Sequence, residues 1–285
     1  MTVLAGPKAT GKSTIYCAIA AAVSRGCDNH DSWLGILNQD PQGVLIISSE
    51  DDMERTITPR LIAAKADLSR IDFIEGIIKP GIKSMDYTFN PEDDEYIVNT
   101  VQNKCVDLII IDPWTLVISG DAKNGIKVQR RLENLSNLAK KLNVAIILIA
   151  HVSKNSKGSD PVNRVSGNAA LTDVARGVYI TAKIENEPRD DGSSHILVRA
   201  ATNLGKVGGG LSYSIESAEI SDSRVTVATS KIVWHSELKG APEDLLYKAE
   251  NTKKDKISAL KKATDFLLEF LSNGTRTYPD ILTGC

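Results

Sequence analysis

The residues best suited to chemistry stand at the front of the chain, in the run Gly6-Pro7-Lys8-Ala9-Thr10-Gly11-Lys12-Ser13-Thr14. Gly6, Gly11, Lys12 and Ser13 occupy the fixed places of the phosphate-loop pattern G-x-x-x-x-G-K-[ST]. Each residue type has a physical reason. Glycines let backbone N–H groups curl around phosphate oxygens, and a following helix adds the favourable field of its N-terminus. Lys12 can reach terminal phosphates, and the Ser13 hydroxyl can ligate Mg²⁺. The apolar Val3-Leu4-Ala5 before the loop and the Ala/Ile-rich run through Ala22 after it read as the required strand and helix. The expected occupant is a nucleotide with Mg²⁺.

Three further strand-like runs end in side chains that could serve the same site. Val44 to Ser49 is continuously apolar up to its serines, as in a strand buried on both faces of a parallel sheet, and it ends in Glu50-Asp51-Asp52. Val106 to Ile111 ends in Asp112-Pro113, a Walker B form in which Asp112 would hold the magnesium through water alongside Ser13. Val144 to Ala150 ends in His151. Ligands of open α/β sheets bind at the carboxyl ends of the strands, so these ends belong together.

The elements that must position these groups follow from patterning. Met53, Ile57, Leu61 and Ala64 are spaced as one helix face, and Ile71 to Ile74 reads as a further strand. Asn90-Pro91-Glu92-Asp93-Asp94 is a helix start, with cap, proline and first-turn acids in order. Val128, Leu132, Leu135, Ala139 and Leu142 form one stripe of a longer helix after a glycine-containing loop at 119–127. From residue 176 the period changes to strands at 177–182, 195–200 and 211–215, linked by turns at Asp190-Asp191-Gly192 and Gly208-Gly209-Gly210. Residues 217–235 offer one or two weak strands, 236–256 read as a polar linker, and 257–271 as an amphipathic helix.

Composition sets the outer bounds. The chain has 285 residues, a net charge of −2 and a charged fraction of 25%, so any nucleic-acid contact must use a local basic patch. Cys17, Cys27, Cys105 and Cys285 lie far apart without metal-like spacing and are expected to be reduced thiols. With no signal-like or membrane-length apolar run in the sequence, the expected compartment is the cytosol.

The order of these parts resembles RecA-fold ATPases of the plasmid RepA and DnaB-like hexameric helicase branch. Besides the phosphate loop, the resemblance is carried by Ser48-Ser49-Glu50-Asp51-Asp52, Thr58-Pro59-Arg60-Leu61, Asp112-Pro113, His151-Val152-Ser153-Lys154, Arg164 to Gly167 with Arg176, and Thr202-Asn203-Leu204-Gly205. It covers Val3 to about Ile215. It implies an α/β, RecA-like P-loop fold with a mainly parallel sheet and an antiparallel C-terminal extension, binding ATP and Mg²⁺ and hydrolysing ATP. Glu50 is then the general base, in agreement with the need for a carboxylate near the terminal phosphate, with Asp51 and Asp52 as alternatives. His151 is the implied phosphate sensor. The Ser/Asn/Gly-rich loop behind it is the channel loop, with Lys154, Lys157 and Arg164 as contacts to single-stranded DNA. Arg176 corresponds to an arginine finger offered to a neighbouring subunit of a ring, expected to be a hexamer working in phage, plasmid or bacterial replication. The other reading is a nucleotide-switched regulatory or recombination-mediating ATPase.

Three departures stand out. Ala201 occupies the place where the family often has a lysine that reaches the neighbour's phosphate, leaving Arg199 or Lys206 as substitutes. The strand and helix that normally precede the phosphate loop are missing, and the C-terminal segment resembles the opening of a winged-helix-like module that stops before its recognition helix. The expected division is an ATPase domain over 1–235, a linker over 236–256 and a C-terminal helical segment over 257–285.

Overall fold

Continuous apolar runs dictate the centre of the molecule. The computed structural model describes residues 1–26, 40–74, 95–118, 125–154, 156–167, 169–185, 189–222 and 225–251, with 264, 266–268 and 270. Strands β1 (Thr2–Gly6), β2 (Gly43–Ser48), β3 (Ile71–Ile74), β4 (Val106–Asp112) and β5 (Ala145–His151) pair in parallel with β6 (Gly177–Lys183), in the spatial order β3-β2-β4-β5-β1-β6. Strands β7 (His195–Thr202), β8 (Gly210–Asp222) and β9 (Val225–Leu238) continue the same sheet antiparallel. The expected fold class, a mainly parallel α/β sheet with an antiparallel C-terminal extension, is the observed one.

Alternation along the strands divides the core in two. Val3, Ala5, Leu45, Ile47, Ile109 and Ile111 face helices α3 (Glu95–Asn103) and α4 (Gly125–Leu142), meeting Ile97, Val101, Val128 and Leu132. Leu4, Val44, Ile46, Leu108 and Ile110 face α1 (Lys12–Arg25) and α2 (Thr58–Ala63), meeting Ile15, Tyr16, Ala20 and Leu61. The expected helix over 53–64 is a π-helical turn, Met53–Ile57, running into α2. Helix α4 also takes in residues 125–127, which the sequence places in a loop. The cap at Asn90 and the glycine loop at 119–124 lie outside the described residues, as does most of 257–285.

Two expectations need correction. Residues 217–235 do form two strands, but not weak ones: β8 and β9 pair over their whole length as a long hairpin, which packs against α1 and α2. From Glu216 to Glu237 its described side chains are half-buried or exposed, so no buried stripe announces it. Nor is 236–256 simply a linker. After the short helix α5 (Ala169–Val174), helix α6 (Pro242–Glu250) buries Leu246, Ala249 and Glu250, and Glu185 N–H donates to the Ala249 carbonyl, tying α6 beside the end of β6.

Candidate active site

The phosphate loop is held by the strands around it. It leaves β1 at Gly6, where a Cβ would fall 1.8 Å from Thr181 Oγ1, so only glycine fits. Thr10 is buried; its hydroxyl donates to the Pro7 carbonyl and shares a 2.6 Å hydrogen bond with Thr181 of β6. Tyr213 of β8 donates its hydroxyl to the Thr10 carbonyl at 2.6 Å. Gly11 takes a left-handed conformation, φ 75°, beneath Ile215 and Ile232 of the hairpin. Helix α1 then opens without a side-chain cap, the arrangement in which first-turn amides can meet an anion.

Lys12 is buried and donates to the Gly6 and Pro7 carbonyls at 3.0 and 2.9 Å. Burial lowers its pKa, against which Asp112 and Glu50 act to keep the charge. These acids arrive from the strand ends. Ser48 of β2 lies opposite Asp112 of β4, so Glu50 and Asp112 emerge on neighbouring strands. Asp112 is 2% exposed and is pushed up to about 7, first by burial and then by the Glu50 and Asp51 carboxylates. Lys12 and a hydrogen bond with Ser13 oppose that rise. A hydroxyl and a strongly acidic environment around one buried carboxylate make a hard-oxygen site, which suits Mg²⁺ with most of its ligands drawn from phosphate and water.

The three consecutive acids have separate tasks. Asp51 pairs with Arg60 of α2 at 2.8 Å, and Asp52 caps the following turn by accepting from Arg55 N–H at 2.7 Å. Glu50 is half-exposed and lies 3.5 Å from His151 Nε2. A cleft of about 390 Å³ is lined by Lys8, Ala9, Gly11, Lys12, Ser13 and Thr14 of the loop, together with Glu50, Asp51, Asp112 and His151. Ile215 and Ser230 of the hairpin close one side.

The loop behind His151 is fastened at its root. Ser166 donates both its N–H and its hydroxyl to the His151 carbonyl, Val152 bridges Val165, and Ser153 N–H donates to the Arg164 carbonyl. Lys154 and Lys157 are exposed on this loop. Arg164 is not: it is 2% exposed and forms a buried ion pair with Glu250 of α6, which corrects its expected place among the open cations. Arg176 is exposed at the start of β6, where its N–H donates to the Met1 carbonyl. That is the opposite end of β1 from Gly6. Arg199 donates from Nε to the Gly208 carbonyl and braces the glycine turn, whereas Lys206 is exposed nearby.

Residues that the sequence did not single out complete the site. Thr181, Tyr213 and Ile215 reach the loop only because the sheet sets β6 beside β1 and carries β8 two strands beyond β6, and no local pattern carries that information. Arg60 could be seen on its helix, but its service to Asp51 rather than to a ligand could not.

A family model described as an AAA domain matches residues 1–157, a span that holds the phosphate loop, Glu50, Asp112, His151 and Lys154. Among solved structures, the RadB recombinase is similar at 15% identity over 75% of this chain and 86% of that chain, with a TM-score of 0.48. No curated protein matches the sequence.

Proposed function

The chain belongs to the AAA domain family, and from that premise we propose that it binds ATP with Mg²⁺ and hydrolyses it to drive movement on single-stranded DNA. The observation that carries the reading is the convergence of Lys12, Ser13, Asp112, Glu50 and His151 in one cleft. Lys12 exchanges its two carbonyl partners for phosphate oxygens and balances charge on the leaving diphosphate. Ser13 and Asp112 would hold the magnesium, which when bound neutralises the phosphates and orients them. Glu50 takes a proton from the water whose oxygen attacks the terminal phosphorus, while the bond to the bridging oxygen breaks. His151, beside Glu50 and bonded through its carbonyl to Ser166, links that event to the loop bearing Lys154 and Lys157.

Subunit-interface catalysis is the natural extension. Arg176 stands at the far end of its own strand pair and could serve only a neighbour's nucleotide, so the proposed assembly is a homo-oligomeric ring, a hexamer in the RepA and DnaB-like manner, with helicase or translocase work in replication. A second reading is favoured by Arg164, because a loop cation locked to α6 is lost to DNA. On that reading the chain is a nucleotide-switched regulatory or recombination-mediating ATPase.

The deciding experiment measures ATP hydrolysis with and without single-stranded DNA, for wild type and Lys12→Ala, across protein concentration. Turnover that needs Lys12, rises with DNA and steepens with concentration supports the motor. Slow, DNA-indifferent turnover at every concentration overturns it in favour of the switch.

A further inference from the structure

On the sheet face that carries Asp112, two buried hydroxyls have no hydrogen-bond partner among the described residues: Tyr16 Oη and Ser48 Oγ. Their placement is not scattered. Ser48 faces Asp112 across the β2–β4 register, and both continue the alternate positions Val44, Ile46, Leu108 and Ile110, the sheet face that α1 covers. Tyr16 follows Ser13 by three residues on α1, hence on the same side of that helix, and packs in the same cluster. Its phenol is raised by burial first, and among the further causes are the Asp112 and Asp51 carboxylates. Buried polar groups are nearly always satisfied, so two orphans on the buried face that carries Asp112 call for a partner that the described residues do not provide.

We propose that Tyr16 and Ser48 are positioning residues for magnesium, holding water molecules of its hydration sphere against Asp112. The inference rests on the proposed Mg²⁺–ATP reading and goes beyond it by naming what surrounds the ion. Mg²⁺ sheds water reluctantly and keeps several waters beside one or two protein ligands. Each such water donates hydrogen bonds that need acceptors, and a hydroxyl can accept one through a lone pair while donating its own O–H to Asp112 or to another water. Outer partners of this kind set metal affinity even though they never touch the ion.

The test separates this role from a structural one. Tyr16→Phe and Ser48→Ala each remove only an oxygen that has no partner among the described residues. Thermal unfolding without nucleotide or metal should be unchanged or slightly raised, and binding of a non-hydrolysable ATP analogue in EDTA should match wild type. Mg²⁺ titrated into the analogue complex should bind about 10-fold more weakly in each variant, and Ser48→Thr, which restores a hydroxyl, should recover affinity. Unchanged Mg²⁺ affinity overturns the proposal, whether stability holds or falls; a fall alone assigns the hydroxyls to an ordinary trapped water. A wild type that binds the analogue with no dependence on Mg²⁺ overturns the magnesium reading itself, and with it this inference.

Discussion

At the scale of single residues, the run Glu50-Asp51-Asp52 shows how identical chemistry acquires different duties. Asp51 is paired with Arg60 and Asp52 caps a helix, so of the three it is Glu50 that stands beside His151 in the cleft. Glu50→Gln should therefore cut turnover by about 10²–10⁴-fold, the range for losing a general base, while nucleotide affinity measured by equilibrium titration stays near wild type. Asp52→Asn keeps a capping oxygen and should leave turnover within about 2-fold, since exposed caps exchange Asp for Asn at small cost. Equal losses in both variants would remove Glu50 from its role. The sequence brought all three acids to the right edge of the sheet because a buried strand must end there. It could not apportion them, since Arg60 and the cap geometry depend on how α2 turns back toward β2.

At the scale of elements, the legible parts are those whose burial is written in one strand or one helix. Runs such as Val44 to Ile47 and Leu108 to Ile111 have no polar face, so they could only be central strands. The β8–β9 hairpin and α6 were harder, because half of each faces water. Helix α6 did carry a start signal, Pro242 followed by Glu243 and Asp244, but the burial of its last residue, Glu250, comes from a partner 86 positions away. That ion pair should be costly to break and cheap to replace. Glu250→Ala leaves Arg164 buried with neither partner nor a bonded Nε, and should lower unfolding free energy by about 3–5 kcal/mol in urea titrations. The double change Arg164→Met with Glu250→Leu should return stability to near wild type or above it. A similar tie pins the outer strands, where Asp191 accepts from Ser193 just before β7, from Ser212 of β8 and from Ser236 of β9. Those hydrogen bonds, Ser193 first, hold its carboxyl below the ordinary range. Its contribution is then complete above the unfolded value of about 3.9 and is lost as pH falls through the lower folded value. Asp191→Asn should be less stable than wild type at pH 7, and the gap between their urea midpoints should narrow at pH 3. A constant gap would mean that the side chain acts through shape alone.

At the scale of the whole molecule, the question is how far the site extends beyond one chain. Parallel pairing sets Thr2 beside Gly177 and Ala5 beside Ile180, so Arg176 and the phosphate loop lie at opposite ends of β1, about 17 Å apart along the strand. No rearrangement of the exposed Arg176 side chain within a subunit closes that gap while its N–H stays bonded to Met1. If Arg176 works, it works on a neighbour, and two inactive variants must then rescue each other. Lys12→Ala lacks a competent phosphate loop but keeps Arg176; Arg176→Ala has the reverse defect. Mixed in equal amounts, they place an intact loop against an intact arginine at about a quarter of randomly formed head-to-tail interfaces. ATP turnover of the mixture should therefore rise well above the mean of the two separate proteins, up to about a quarter of wild type if interfaces act independently. The rise should vanish on dilution, as assembly does. Full activity of Arg176→Ala alone would make the residue a brace for the Met1 end of the sheet, and a mixture no better than its parts would confine catalysis to single subunits.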